Sequence, residues 1–284
     1  MQIAIGIVFG IIAMFGWGAS DFFVTKSARG TSLFKAFSWS QIIALIIMLP
    51  IFLIFFKLPQ FSFNIIILIL ASGVLTVIAN LMFYKGLQVG TVSTIMPVES
   101  CWAVVTVILS LTILNDVLTG LQATGIILIL AGAVLVSFKW RDLLQIKNPA
   151  KGVKYAVIAA VAFGTDFVII DLLVHKIGWF LPIFFIGIIT ATYMLIYSGT
   201  TKKDISFPKN VWLFILLVGI LDTIAYLAYS IGVTSEYGSI VAPIGAASPV
   251  IAIILAKIFF KEKIEMNQIL GIIAVMIGLV IVSL

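Results

Sequence analysis

The sequence predicts an all-α integral membrane protein with ten transmembrane helices, arranged as two inverted five-helix repeats. Hydrophobic residues make up 63% of the 284-residue chain and charged residues 10%, with a mean hydropathy of +1.28, whereas soluble domains carry about 25% charged residues. Apolar runs of about twenty residues recur from end to end, and a helix needs that length to cross a hydrocarbon core of roughly 30 Å. The second half of the chain also aligns with the first.

Ten apolar runs, separated by polar, glycine or proline breaks, define the predicted spans. Spans 1 to 5 cover residues 3–25, 33–56, 64–85, 92–114 and 118–138, and spans 6 to 10 cover 153–174, 178–198, 211–232, 238–260 and 265–284. Spans 2 and 7 have the least sharp boundaries. Because apolar sequence follows Met1 directly, we expect the first run to remain as span 1 and not to be cleaved as a signal.

An offset of 146 residues brings the second half onto the first without a gap. Gly18 then meets Gly164, and Pro97 meets Pro243. Further identical pairs are Gly73 and Gly219, Gly86 and Gly232, Ser93 and Ser239, Gln122 and Gln268, Gly125 and Gly271, and Gly132 and Gly278. The predicted domains are a first repeat at 1–138, a basic linker at 139–151 and a second repeat at 152–284.

Five spans are an odd number, so the second repeat enters the membrane from the opposite face to the first. Such an inverted pair is a transporter architecture, with the solute expected near the midplane between the halves. All of the 17 Lys and Arg except Lys57 and Lys176 lie on one side of the predicted spans. They form short basic loops and no continuous patch, which argues against a nucleic-acid partner. The positive-inside rule places both termini outside.

The end of each repeat resembles the EamA domain of the drug/metabolite transporter superfamily. The matching residues in the first repeat are Pro97, Asp116, Leu118, Thr119, Gln122, Gly125 and Gly132, and in the second Pro243, Pro249, Glu262, Gln268, Gly271 and Gly278. Residues 16–22 resemble the start of such a domain. Most members have Glu where this chain has Asp116, whereas the second copy keeps Glu262.

The resemblance implies a ten-helix transporter with a central cavity lined mainly by helices 1, 3, 4, 6, 8 and 9. Members of the family export amino acids and other metabolites, or carry sugars, nucleotide sugars and phosphorylated metabolites. Their termini are usually cytoplasmic, whereas the distribution of Lys and Arg in this chain places the termini outside. The orientation therefore stays open at this stage.

Ionisable residues inside spans are costly and mark candidate sites. Asp222, Tyr226 and Tyr229 share one face of span 8 at i, i+4 and i+7. This face either binds a polar solute or forms a buried hydrogen-bonded triad between helices. The equivalent strip of span 3 consists of Thr76, Asn80 and Phe83, with Tyr84 beside them. Matching strips predict one shared cavity.

Glu99 follows Pro97 in span 4, where proline is expected to bend the helix. Its carboxylate has three possible roles: binding an ammonium group of the solute, accepting a coupling proton, or pairing with Lys85. Trp102, one turn further, either stacks on the solute or packs against neighbouring helices. Cys101 is interpreted as a packing residue.

Spans 1 and 6 supply the remaining candidates. Asp166 is the deeper of their carboxylates, while Asp21 either takes part in transport or forms an interfacial salt bridge with Lys26 or Arg29. Trp17 is expected in the cavity wall or in an aromatic belt. A further pair, Asp171 and His175 at i, i+4, either shuttles protons or is a surface pair.

We therefore predict a secondary transporter of an amino acid or another zwitterionic or cationic solute, in the cell membrane. The predicted substrate-binding residues are Trp17, Asp21, Thr76, Asn80, Tyr84, Glu99, Trp102, Asp166, Asp222, Tyr226 and Tyr229. The alternatives are a carrier of sugars, nucleotide sugars or phosphorylated metabolites, and a non-transporting scaffold or sensor. No metal site, cofactor or enzyme motif is expected. The expected partners are the solute and the bilayer, with possible proton coupling and a monomer or weak homodimer.

Overall fold

The computed structural model describes residues 5–27, 30–58, 60–141, 152–261 and 263–284, and within these ranges the chain forms helices and no β-strand. The first half forms α1 (Ile5–Ser27), α2 (Leu33–Phe55), α3 (Phe63–Val89), α4 in two segments and α5 (Gly120–Val136). The second half forms α6 (Val153–Ile177), α7 (Leu181–Thr201), α8 (Trp212–Gly232), α9 in two segments and α10 (Met266–Val282). Eight of these helices are long and apolar enough to cross a membrane, and α5 and α10 are shorter apolar helices. The predicted all-helical membrane fold is confirmed.

Helices α4 and α9 are both interrupted near their middle. α4 consists of α4a (Val92–Glu99) and α4b (Trp102–Leu109), followed by a wider π-helical turn at Ser110–Leu114. α9 consists of α9a (Gly238–Ala246) and α9b (Pro249–Phe260). Pro97 and Pro243 lie inside α4a and α9a a few residues before each interruption. Because proline has no N–H to donate, the helical ladder weakens at equivalent places in the two halves.

The 146-residue offset holds in the local structure as well as in the sequence. Helix α5 starts with a capping box formed by Thr119 and Gln122, and α10 starts with a capping box formed by Glu265 and Gln268. In each box the side chain of the first residue accepts a hydrogen bond from the backbone N–H of the second residue. The side chain of the second residue accepts one from the backbone N–H of the first. Each member of one box lies 146 residues from its counterpart, so the two repeats begin their last helices in the same way.

Each interruption packs against a glycine in the other half. A Cβ added at Gly164 of α6 would lie 2.5 Å from the carbonyl oxygen of Trp102, where α4b begins. A Cβ added at Gly18 of α1 would likewise collide with the carbonyl oxygen of Ser248, just before α9b. Because no side chain fits there, the two broken helices approach α1 and α6 closely. The interruptions therefore lie at the interface between the halves.

Helices α5 and α10 are joined by two pairs of glycines. Gly125 packs on Gly278, and Gly132 packs on Gly271. An added Cβ at any of these positions would lie 2.6 to 2.9 Å from the partner's carbonyl oxygen. Early residues of one helix meet late residues of the other, so the two helices run antiparallel. Most of the predicted 139–151 linker lies outside the described residues, as do Arg29 and Glu262.

Candidate functional site

A central cavity of about 210 Å³ lies between the two halves of the bundle. Its wall is formed by residues of α1 to α4 and α6 to α9, and α5 and α10 contribute none of the described lining residues. Helices α1, α3, α4, α6, α8 and α9 were expected there. Helices α2 and α7 also contribute, so the cavity is enclosed by eight helices.

The cavity extends toward one end of the bundle, where α1 ends and α2 begins, and we call this the open end. Val24, Leu33 and Met96 line the cavity close to this end and are partly exposed. At the opposite end, which we call the closed end, Phe180 and Leu173 are 1% and 0% exposed. Described lysines of the basic loops, such as Lys26 and Lys85, lie toward the open end, whereas Lys57 and Lys176 lie at the closed end.

Most of the predicted site residues come together in this cavity. Its wall includes Trp17, Asp21, Thr76, Asn80, Tyr84, Glu99, Trp102, Asp222 and Tyr226. The two polar strips inferred from the repeat, one on α3 and one on α8, therefore face the same space. Asp166 and Tyr229 are not part of the wall.

Three carboxylates face the cavity: Asp21 on α1, Glu99 at the end of α4a and Asp222 on α8. Asp21 lies close enough to interact electrostatically with both of the others. The hydroxyl of Ser20 lies beside the carboxylate of Asp222 in the cavity wall. Among the described residues that line the cavity there is no Lys, Arg or His. The site is therefore strongly acidic and suited to a positively charged group.

The lysines near the open end have their partners outside the cavity. The ammonium of Lys85 lies 4.9 Å from the ring centroid of Tyr155, and no ion pair joins it to Glu99, so the predicted pairing of these two residues is not formed. Lys26 lies 5.0 Å from the ring centroid of Phe260. These ring contacts are cation–π interactions. Within the part of the chain that the structure describes, no ion pair joins the cavity carboxylates to a cation.

Four aromatic rings form the deep part of the cavity. Trp17 contacts Trp102 and Tyr226 edge to face, at centroid distances of 6.0 and 5.4 Å. Trp102 in turn stacks on Phe167 at 4.3 Å. Such mutual contacts fix the ring orientations. Rigid π faces beside carboxylates favour an organic cation.

Asp166 and Tyr229 lie behind the cavity wall and are both fully buried. The carboxylate of Asp166 accepts hydrogen bonds from the hydroxyl of Ser72 and, at 2.7 Å, from that of Thr76. Asp166 therefore joins α6 to α3 and orients Thr76 from behind. The Tyr229 ring packs on Phe167 at 4.7 Å, and its hydroxyl has no hydrogen-bond partner among the described residues.

At the closed end, two carboxylates hold the start of α9a. The carboxylate of Asp116 accepts hydrogen bonds from the backbone N–H of Ser239 at 3.1 Å and from its hydroxyl at 2.6 Å. The carboxylate of Asp171 on α6 lies against Gly238 at the first turn of α9a, and it lies 3.2 Å from Nε2 of His175. The first N–H groups of a helix have no partner within the helix, so carboxylates satisfy them well. We call the contacts of Asp116 and Asp171 with Gly238 and Ser239 the α9 lock.

Sequence reasoning missed the polar lining residues of α2 and α7. Gln41 and Ser40 on α2 and Thr190 on α7 all line the cavity. The signal available for Gln41 was an amide in the middle of an apolar span. Ser40 and Thr190 gave weaker signals, because small hydroxyl side chains are common in membrane helices.

Two searches of known sequences support a transporter. The sequence profile described as "EamA-like transporter family" matches residues 4–138 and 150–284. An uncharacterized transporter of Archaeoglobus fulgidus is 24% identical over 286 residues, which cover 98% of each chain. An uncharacterized protein of Methanocaldococcus jannaschii is 31% identical over 133 residues, which cover 46% of this chain and 95% of that protein.

A comparison with solved structures supports the fold. A crystal structure matches 97% of this chain and 95% of its own, with a TM-score of 0.81 and 15% sequence identity. At that identity the likeness concerns the fold alone.

Proposed function

The chain belongs to the EamA-like transporter family, and from this premise we propose that it carries a small solute with an ammonium group, an amino acid or a related amine, across the cell membrane by alternating access. The observation that carries the proposal is the cavity between the halves, with three carboxylates and no basic residue among its described lining residues. Anionic solutes such as phosphorylated metabolites find no positive charge there. The acidic cavity thus favours a cation within a family that contains several substrate classes.

The interrupted helices support the alternating-access part of the proposal. Glu99 ends α4a and Ala246 ends α9a, and both residues line the cavity. The outer segments α4a and α9a lie at opposite ends of the bundle, because the repeats are inverted. Movement of one segment at a time would open the cavity to one side and then to the other. Under this proposal, the present structure would be the state in which α9a closes its end.

The proposal is tested by counterflow in liposomes loaded with single amino acids and amines. Asp222→Asn removes a cavity carboxylate with little change in shape, so we expect at least a tenfold loss of exchange with a melting temperature close to that of the unmodified protein. The control is Asp204→Asn, which changes an exposed carboxylate outside the cavity. Exchange of sugars without exchange of any amine or amino acid would disprove the substrate class. Unchanged flux in Asp222→Asn together with lowered stability would favour a structural role.

Proton coupling belongs to the same proposal. A cavity carboxylate that binds either a proton or an ammonium group would exchange one for the other. An imposed pH gradient is then expected to drive accumulation of the solute. Equal uptake with and without the gradient would instead indicate uniport.

A further inference from the structure

The polar groups of the cavity distinguish between an amino acid and an amine. A zwitterionic amino acid brings a carboxylate as well as an ammonium group, and proteins bind carboxylates through Arg, Lys or several free N–H and O–H donors. The ammonium group needs the opposite, namely acceptors and negative charge. The balance of donors, acceptors and charges among the lining residues therefore decides which of the two solutes fits.

Positive charge is missing from the described lining residues, and the nearby lysines have other partners. Lys85 lies over the ring of Tyr155, and Lys26 over that of Phe260. Lys35 donates to Asp204 and, at 3.1 Å, to Ser206, both in the segment between α7 and α8. A solute carboxylate inside the cavity would thus meet Asp21, Glu99 and Asp222 without a counter-charge among the described lining residues.

Three hydroxyl groups in the wall donate their single proton to backbone carbonyls of their own helices. Ser100 donates to the carbonyl of Met96 at 2.9 Å, and Thr223 to that of Gly219 at 2.6 Å. Ser40 similarly donates within its own helix at 2.8 Å. A hydroxyl has one proton and two lone pairs, so these groups offer acceptors to the cavity.

The amide and hydroxyl of α3 are engaged in the same way. Asn80 donates to the carbonyl of Thr76 at 2.8 Å, and the Thr76 hydroxyl is held by Asp166. The donors that remain, among them the amide of Gln41, the hydroxyl of Thr190 and the phenols of Tyr84 and Tyr226, are neutral. Neutral donors do not balance the charge of a carboxylate placed beside three others. The described wall therefore offers a solute carboxylate neutral donors but no positive charge.

From this imbalance we infer that the cavity selects an organic amine without a carboxylate over the amino acid that carries the same side chain. The inference rests on the proposed function and narrows its substrate class. The ammonium group binds between Asp21, Glu99 and Asp222, and the organic part of the amine lies against the rings of Trp17 and Trp102. Rings beside the cation add a cation–π contribution.

The test uses pairs of compounds that differ only in the carboxylate. The pairs are tryptamine and tryptophan, phenethylamine and phenylalanine, cadaverine and lysine, and agmatine and arginine. Binding is measured by ligand-dependent thermal shift of the purified full-length protein, and transport by competition in counterflow. We expect the amine of at least one pair to bind at least tenfold more tightly than its amino acid. The methyl ester of that amino acid should behave like the amine, and its N-acetyl derivative should not bind.

Variants connect the preference to the carboxylates. Asp222→Asn and Glu99→Gln should each reduce the ratio of amine to amino-acid affinity by at least threefold, since each removes a charge that repels the carboxylate. Glu236→Gln, a carboxylate at the closed end and outside the cavity, serves as the control and should leave the ratio unchanged.

Three results would overturn the inference. Equal or tighter binding of the amino acids, with transport, would refute it and leave the proposed function intact. An affinity ratio that does not change in the carboxylate variants would show that the preference has another source. Failure of every compound to bind or to be exchanged would refute both the inference and the proposed function.

Discussion

Replacing Gly238 by alanine is expected to weaken the α9 lock and open the closed end. An added Cβ would lie within 3.0 Å of the carboxylate oxygen of Asp171, closer than real Cβ contacts, and 3.4 Å from the hydroxyl of Ser110. Because Asp171 is only 3% exposed, its side chain has little room to move away. The start of α9a must therefore move away from α6, and its contact with the Asp171 carboxylate is lost.

The magnitude follows from the position of the Asp171 carboxylate at the N-terminus of α9a. A carboxylate at a helix N-terminus contributes up to about 2 kcal/mol when it is partly buried, so we expect the closed state to lose about 2 kcal/mol. Since about 1.4 kcal/mol corresponds to a factor of ten, the ratio of open to closed molecules should rise roughly 30-fold. The two hydrogen bonds from Ser239 to Asp116 remain and limit the effect.

The assay is the labelling rate of a cysteine introduced at Ala242, one turn further along α9a. Ala242 is 0% exposed, so its thiol should react with a membrane-impermeant maleimide only when the closed end opens. The native Cys101 is first replaced by serine, which can keep the hydrogen bond to the carbonyl of Pro97. Reagent is applied separately to each face of sealed vesicles.

The control is Gly199→Ala near the end of α7, where an added Cβ meets nothing within 4 Å. We expect Gly238→Ala to accelerate labelling from the closed-end face alone, and Gly199→Ala to leave the rate unchanged. Equal labelling rates in the two variants, at equal melting temperatures, would refute the assignment of the α9 lock as the closure.

Three further predictions concern stability in detergent. Tyr229→Phe removes a buried hydroxyl that has no described partner, so the melting temperature should stay the same or rise, and flux should change less than twofold; a large loss of flux would instead place Tyr229 at the solute. Gly132→Ala inserts a Cβ 2.6 Å from the backbone of α10 and should lower the melting temperature by several degrees, whereas Gly120→Ala, with nothing within 4 Å, should not. The ammonium of Lys35 lowers the pKa of Asp204 from 3.8 to about 2; its contribution to stability is then complete above the ordinary pKa and is lost as the pH falls toward 2. Asp204→Asn should therefore lower the melting temperature by the same amount at pH 5 and at pH 8. A decrease that differs between these two pH values would contradict this account.

The sequence was sufficient to predict the helices and the internal repeat, because both depend on patterns along the chain. Apolar runs define the spans, and the prolines at 97 and 243 marked the helices that are interrupted. The cavity carboxylates could also be identified, since a charge in a membrane helix needs water or a partner wherever the helix is rotated.

Contacts that depend on helix rotation and packing could not be predicted. Asp166 lies only one residue out of register with Asp21 in the repeat, yet it faces Ser72 and Thr76 on α3 and not the cavity. Lys85 was an available partner for Glu99 by sequence, but its side chain extends to Tyr155. Rotating a helix about its axis by a fraction of a turn changes which neighbour a side chain faces. The apolar pattern of a membrane helix does not define this rotation precisely enough to predict the contact.

The paired glycines of α5 and α10 have a consequence for how such a molecule can be assembled. Gly125 meets Gly278 and Gly132 meets Gly271, and Gly271 and Gly278 are the repeat counterparts of Gly125 and Gly132. The two surfaces are therefore copies of one surface, as at the interface of a two-fold symmetric dimer. One repeat alone carries both sides of this contact. Two separate copies would form it only if they were inserted in opposite orientations, a condition that a single covalent chain with an odd number of spans per repeat meets every time it is synthesised.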